Sequence, residues 1–380
     1  MAQIVTSRAA MTATDDGCAV PTRYGPGTAV RSRVYVRLTD AEGRTGDGEA
    51  SPLPHFTGET PATIHAALET LLPLVIGCDA LALDDLTDHL ARHPHQYAAK
   101  CAIDAAAHDL AAKTLGVPLA LLLGGSLGRP VATTGLIGIV DADAAVTAAR
   151  GYVADGIRTL KMKVGREIAA DAVRVGAVRE AVGSGVAIRL DGNAGLALPD
   201  ALALVRVTRV FGIELFEQPA RADDLHGLRT VREAGIRVLV DESVHSVRDA
   251  IRVLEASACD LIAIKLIKCG GLRPARTIAQ VAAAYGVGCI LISPYETAVG
   301  LATTAHAAIA FGTRDHAHDI FRVPVPAGSA WGHTAVPGGL MLAALPGHGA
   351  TVGRATADRL EEVSAAEMVN HSGRTVTASA

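Results

Sequence analysis

From residue 131 onward the sequence repeats one rhythm: a short apolar run rich in β-branched residues, a polar loop, then an Ala- and Arg-rich stretch with helical spacing. The runs are VATTGLIGI (131–139), TLKMKVG (159–165), AIRLDGN (187–193), GIELFEQP (212–219), RVLVDES (237–243), LIAIKLIK (261–268), VGCILIS (287–293) and AHDIFRV (317–323). Eight βα units in series predict an α/β fold of the (β/α)8-barrel type, because each crossover helix returns the chain to the same end of a parallel sheet. An open doubly wound sheet is the alternative, but no GxGxxG or Walker motif opens any of the helices.

The residues before this rhythm read differently. Segment 29–53 alternates apolar and polar residues around the turn DAEG, a hairpin signal, and 61–76, 84–92 and 97–115 carry helical spacing. The expected organisation is an α+β capping domain over 1–128, a catalytic barrel over 129–328, and a C-terminal segment, 329–380, that packs back on and completes the capping domain.

With 380 residues, 49% of them hydrophobic and 19% charged, the chain can bury a large core. A net charge of −4 from well-mixed signs gives no basic stripe for nucleic acid. No apolar run is long enough to span a bilayer, and Asp15 and Asp16 fall where a secretory leader needs an apolar stretch. A cytoplasmic homo-oligomer acting on a small molecule is expected, with neither nucleic acid nor membrane as partner. The six cysteines are scattered without CxxC or zinc spacing and are expected to be buried reduced thiols.

Polar residues recur at the ends of consecutive barrel strands: Lys163, Asp191, Glu217, Asp241 and Lys265, at intervals of 28, 26, 24 and 24 residues. One such interval is one βα unit, so the five side chains are expected on a single rim of the barrel. Three carboxylates on adjacent strands offer hard oxygen donors that suit Mg²⁺. Lys163 and Lys265, on the second and sixth strands, face each other across the mouth. A substrate carboxylate placed between them has a nitrogen on each face of its α-carbon. Lys161, on the same strand face as Lys163, is expected to hold that carboxylate and, by repulsion, to favour the neutral amine of Lys163. Removing a proton next to a carboxylate creates an enediolate, whose charge the metal and Lys161 stabilise.

KMK, DGN, EQP, DES and IKLIKCGG, in this order and spacing, resemble the motifs of the enolase superfamily, muconate-lactonizing-enzyme subgroup. GDGEASPLPHFTGET and AKCAIDAAAHDLAAKTLG are similar to capping-domain segments of dipeptide epimerases of the Ala-Glu type. The resemblance implies a barrel with a cap, Mg²⁺ on Asp191, Glu217 and Asp241, and Lys163 with Lys265 as the acid/base pair. It further implies supporting places for Asn193 and Glu242, a helper charge at Lys268 and a hydrogen-bonding rim residue at Glu296. The mandelate-racemase pattern is disfavoured, since ILISPYET carries no histidine after the seventh strand. Dipeptide epimerases carry DxD on the eighth strand for the substrate ammonium, whereas HDIFR leaves Asp319 with Phe321 in the second acidic place. Arg23, Tyr24, His55 and Phe56 are the expected lid residues that contact substrate. The implied activity is racemisation or epimerisation next to a carboxylate, in a dipeptide-like or N-acyl amino acid. The alternative is a cycloisomerase or lyase of muconate cycloisomerase or succinylbenzoate synthase type.

Overall fold

A computed structural model describes residues 2–15, 19–22, 25–27, 30–321 and 330–362. The chain opens with an antiparallel sheet of β1 (Ile4–Asp15), β2 (Val30–Asp40) and β3 (Thr45–Ala50), in which Val36 lies opposite both Ala9 and Gly48. Asp40 closes the β2–β3 turn, its Oδ1 accepting from the N–H groups of Glu42 and Arg44 at 3.1 and 2.9 Å. β1 has no counterpart in the sequence reading. It buries Ser7 and Thr12 while exposing Val5 and Met11, so its hydrophobic pattern does not report its faces.

Helices α1 (Pro54–Thr57), α2 (Pro61–Leu71), α3 (Leu83–Ala91), α4 (Tyr97–Thr114) and α5 (Leu119–Leu122) follow. α2 begins in a reciprocal cap between Thr60 and Thr63, then tightens into a 3₁₀ turn at Leu72–Val75, where Pro73 has no N–H for an α-helical bond. α4 is alanine-rich because it is buried on almost every side. Its backbone presses on β3 so closely that a Cβ at Gly48 would stand 1.9 Å from the Ala102 carbonyl. From its other side Asp104 accepts a hydrogen bond from the Leu272 N–H, which ties the capping unit to the barrel.

β4 (Val131–Ala132) and β5 (Gly135–Ile137) divide the first expected strand between two sheets. The eight parallel strands are β5, β6 (Thr159–Lys163), β7 (Ala187–Asp191), β8 (Ile213–Glu217), β9 (Val238–Val240), β10 (Leu261–Ile264), β11 (Gly288–Ser293) and β12 (Asp319–Ile320), paired in chain order. Between them run α6 (Ala142–Ala154), α7 (Ile168–Val182), α8 (Leu198–Thr208), α9 (Leu225–Glu233), α10 (Val247–Glu255), α11 (Leu266–Cys269), α12 (Leu272–Ala284) and α13 (Ala298–Phe311). Among the described residues the near-barrel closes through a bridge between Thr133 and His318, with the Thr134 N–H on the His318 carbonyl at 3.1 Å. Leu215, Leu239, Leu261, Ala263, Ile290 and Ile292 form a separate apolar cluster of strand residues, as in a filled barrel.

The chain then makes a hairpin, β13 (His333–Val336) and β14 (Gly339–Leu342), that pairs with β4 rather than with the capping sheet. After α14 (Arg354–Ala357), β15 (Glu361–Glu362) pairs with β1 and adds a fourth strand to that sheet. Among the described residues no helix is long and apolar enough to cross a membrane. The described cysteines, Cys78, Cys101, Cys259, Cys269 and Cys289, are free thiols.

Candidate active site

The parallel register sets the rim. Lys163, Asp191 and Glu217 end β6, β7 and β8 and are successive pairing partners, while Asp241 and Lys265 directly follow β9 and β10. Their side chains form a buried ionic row. Lys163 Nζ donates to Asp191 Oδ2 at 2.6 Å and to Asn193 Oδ1 at 2.9 Å. At the other end Lys265 donates to Asp241 Oδ2, and Lys268 reaches Asp241 Oδ1 at 2.6 Å. Lys161 sits below, 2.7 Å from Glu217 Oε2, 2.8 Å from Asp319 Oδ2 and 3.0 Å from Asp191 Oδ2. Asn193 donates to Glu242 at 3.3 Å and holds a left-handed backbone, φ 44°, so one residue connects Lys163 to the far end of the row.

The electrostatics follow from crowding five carboxylates and four ammonium groups out of water. Burial, then the charge of Asp191, pushes Glu217 up to about 8. Burial opposes ionisation of Asp191 as well, but Lys161 and Lys163 outweigh it and bring that carboxyl to about 2. Lys265 and Lys268 likewise outweigh burial at Asp241 and hold it below the usual carboxylate range. Burial, then Asp241, raises Glu242 to about 7. The two lysines at the mouth move in opposite directions. Burial lowers Lys265, whereas at Lys163 burial and Lys161 are together outweighed by Asp191, Glu217 and Tyr295, so its pKa is raised. Lys161 does push Lys163 toward its neutral amine, as expected, but this repulsion is smaller than the attraction of the adjacent Asp191 carboxylate.

Above the row lies a cleft of about 100 Å³ lined by Lys161, Lys163, Asn193 and Lys265 on the barrel side and by Leu53, His55 and Phe56 from the cap. Phe321 and Tyr295 stand in its wall as well, their ring centroids 6.2 Å apart. Arg23 and Tyr24 lie outside the described residues. Two expected substrate contacts point elsewhere. Asp319 is fully buried beneath the mouth, taken by Lys161 and by Thr134 Oγ1 at 2.9 Å, with Arg189 at 3.6 Å. Glu296 turns behind the seventh strand, where Thr304 Oγ1 donates to it at 2.9 Å. Neither lines the cleft. His318 is a packing residue whose Nδ1 accepts from the Leu291 N–H at 3.1 Å, and His316 pairs with Glu214 at 2.8 Å.

Two further residues support this site, Arg189 and, from the EQP motif, Gln218. Arg189 lies fully buried on β7, two residues before Asp191, and binds Glu214 and the Ala317 carbonyl at 2.6 and 2.9 Å. The i, i+2 rule that pairs Lys161 with Lys163 also pairs Arg189 with Asp191 and was the available signal. Gln218 braces Asp241 by accepting from its N–H at 2.8 Å.

As the side chains stand, no group of three or more His, Cys, Asp or Glu among the described residues is gathered closely enough to hold a metal. The reason is the ammonium groups: Lys265 and Lys268 occupy both oxygens of Asp241, and Lys161 and Lys163 occupy Asp191. The donor set still suits a hard divalent cation. All three carboxylates are buried at neighbouring strand ends, and Glu217 Oε1 has no hydrogen-bond partner among the described residues.

Residues 9–124 match the family profile for the mandelate racemase / muconate lactonizing enzyme N-terminal domain, and residues 144–356 match the enolase C-terminal domain-like profile. The chain belongs to the enolase superfamily. Among its relatives in the superfamily is an L-Ala-D/L-Glu epimerase of Bacillus subtilis (strain 168), 37% identical over 72% of this chain and 76% of its own length. An N-succinyl-L-Arg/Lys racemase of Bacillus cereus is 32% identical over the same share of this chain and 76% of its own. The crystal structure of a dipeptide epimerase from Enterococcus faecalis V583, complexed with Mg and L-Leu-L-Tyr, superimposes with a TM-score of 0.86. That pair is 30% identical and covers 92% of this chain and 99% of the other. The chain therefore falls among the superfamily's isomerases.

Proposed function

We propose that this enzyme is a Mg²⁺-dependent racemase or epimerase that removes and returns the proton next to a carboxylate in an N-acylated or dipeptide-like amino acid. The observation that carries the reading is that Lys163 and Lys265, from strands on opposite sides of the barrel, line one cleft and are separated by the row Asp191, Glu217 and Asp241.

In this reading Asp191, Glu217 and Asp241 hold the metal. Bound there, Mg²⁺ supplies positive charge beside the substrate carboxylate, offsetting the negative charge that develops as the α-proton leaves. Lys161, kept protonated by Asp191, Asp319 and Glu217, adds a fixed cation at the floor of the cleft. Nζ of Lys163 moves the proton at one face of the α-carbon and Nζ of Lys265 at the other. Asn193 orients Lys163, and Lys268 with Gln218 fixes Asp241. Asp319 serves to hold Lys161 rather than a substrate ammonium.

The described residues lining the cleft include no Asp or Glu, so a free ammonium group has no counter-charge there, and an acylated nitrogen is favoured. A panel of dipeptides, N-acyl amino acids and hydroxy acids, incubated in D₂O and read by mass shift and optical rotation, tests the proposal. Deuterium uptake with loss of optical activity is expected for N-acyl amino acids. Loss of water or ring closure without α-exchange points instead to the lyase or cycloisomerase chemistry of the superfamily.

A further inference from the structure

Tyr295 stands where two cavities meet. The cleft over the lysines and a larger cavity of about 490 Å³, open toward β2 and the 52–55 turn, share Thr22, Leu53, His55 and Tyr295 in their linings. Tyr295 has φ of 60°, a backbone region that bulky side chains adopt only when their surroundings impose it.

What imposes it comes from the capping domain. The Arg33 guanidinium donates to the Tyr295 carbonyl, and the Arg31 guanidinium lies over the Tyr295 ring, 4.0 Å from its centroid. Arg33 is itself paired with Glu49 at 3.4 Å, and Glu49 accepts from the Thr297 and Gly300 N–H groups at 2.8 and 2.9 Å, capping α13. Ser51 Oγ completes the attachment on the Pro294 carbonyl at 3.1 Å. One strand of the cap thus sets both the backbone and the ring of a barrel residue that walls the cleft. The ring then meets Phe321 in a tilted pair, at an interplanar angle of 32°.

We infer that Tyr295 is a specificity-determining residue, positioned by Arg31 and Arg33, and that it selects substrates whose N-acyl group is flat, apolar and uncharged. The inference rests on the epimerase reading above and narrows its substrate class. Beyond the lysines the apolar part of the wall, Leu53, Leu136, Ile292, Pro294, Tyr295 and Phe321, outweighs the neutral polar Thr22 and Ser293 and the single His55 and Asn193, which suits an aromatic acyl group better than a methyl or a carboxylate-bearing one. The guanidinium of Arg31 lies over the Tyr295 ring, so it acts through that ring rather than on the substrate.

The test uses one amino acid carrying in turn an acetyl, benzoyl or succinyl group, with kcat and KM measured for racemisation and α-proton exchange followed in D₂O. Wild type is expected to favour benzoyl over acetyl by about tenfold or more in kcat/KM, with succinyl no better than acetyl. Tyr295→Leu, which keeps bulk but removes the flat ring, and Tyr295→Ala should each reduce the benzoyl-to-acetyl ratio about tenfold, mainly through KM. Arg31→Ala should lower the same ratio several-fold and Arg31→Lys should restore part of it, which a merely structural arginine would not do. A ratio unmoved by all four variants overturns the inference while leaving the epimerase reading standing. So does a preference for succinyl that disappears in Arg31→Ala, because the arginine would then be reading charge. If wild type exchanges no α-proton in any of the three, the epimerase reading fails and this inference falls with it.

Discussion

The amine of Lys265 lies 3.8 Å from the centre of the Phe56 ring, so the cap touches one lysine of the mouth directly. Phe56 belongs to the one-turn helix α1, which begins at Pro54 and ends at Gly58 in a left-handed conformation that glycine adopts freely. Lys163 is held instead by Asp191 and Asn193, with Tyr295 acting on it through charge rather than through its ring face. The two faces of the cleft are therefore supported differently.

Phe56→Ala should separate them. Loss of the ring exposes Lys265 to water and removes its confinement, so exchange of the enantiomer served by Lys265 is expected to fall about tenfold more than exchange of the other. Separate exchange rates for the two enantiomers in D₂O check this. Equal losses for both would reduce Phe56 to a general lid residue.

Asp241 is the carboxylate most completely claimed by side chains, with an ammonium on each oxygen. Asp241→Asn should lower kcat by about three orders of magnitude or more and abolish saturable Mg²⁺ binding in calorimetry. Excess EDTA should silence the wild-type enzyme in the same assay, with activity returning on addition of Mg²⁺. Full activity in EDTA would remove the metal from the mechanism.

Glu296 provides a pH prediction away from the metal-binding row. Burial, then the neighbouring Glu49, raises it to about 8 from an ordinary value of 4.5. The folded state thus binds a proton between those values that the unfolded state has released, so this group's contribution to stability falls as pH rises through the window. Glu296→Gln removes the proton linkage. Its Tm relative to wild type should rise between pH 5 and pH 8.5, by on the order of 5 °C. A difference that is flat with pH would mean that Glu296 is ionised in the folded protein.

Gly48 tests the packing of the cap. With the Ala102 carbonyl 1.9 Å from any added Cβ, Gly48→Ala forces β3 away from α4 and should cost about 3 kcal/mol in urea unfolding. Gly43, whose surroundings are open, is the control position for bulk, although its φ of 77° makes a substitution there strained in its own right.

The rim residues were legible because the fold converts chain spacing into position. In a parallel barrel, polar residues one βα unit apart must arrive at the same end, whatever else surrounds them. Direction within the mouth was not legible in the same way. Asp319 opens β12 and Glu296 follows β11, yet Asp319 is drawn down to Lys161, 158 residues away in the chain, and Glu296 back to Thr304 on the following helix. The grip of Arg31 and Arg33 on Tyr295 is equally non-local, with 262 residues separating Arg33 from the carbonyl it binds. The same limit applies to β1, whose buried Ser7 and exposed Val5 follow from what covers the sheet rather than from its own pattern. The short break at Thr133 and Thr134 that divides β4 from β5 depends on the late hairpin β13–β14 and on Asp319, neither of which periodicity near residue 131 can reveal.

The most direct measurement of two-base epimerisation is α-proton exchange in D₂O for each enantiomer, with Lys163→Ala and Lys265→Ala compared side by side. Lys161 and the three carboxylates remain in both variants, so charge stabilisation persists whichever lysine is lost. Each variant is predicted to exchange one enantiomer only, Lys163→Ala and Lys265→Ala exchanging opposite ones, while net interconversion falls by several orders of magnitude in both. Exchange of the same enantiomer by both variants, or consumption of substrate by wild type without any α-exchange, would contradict it.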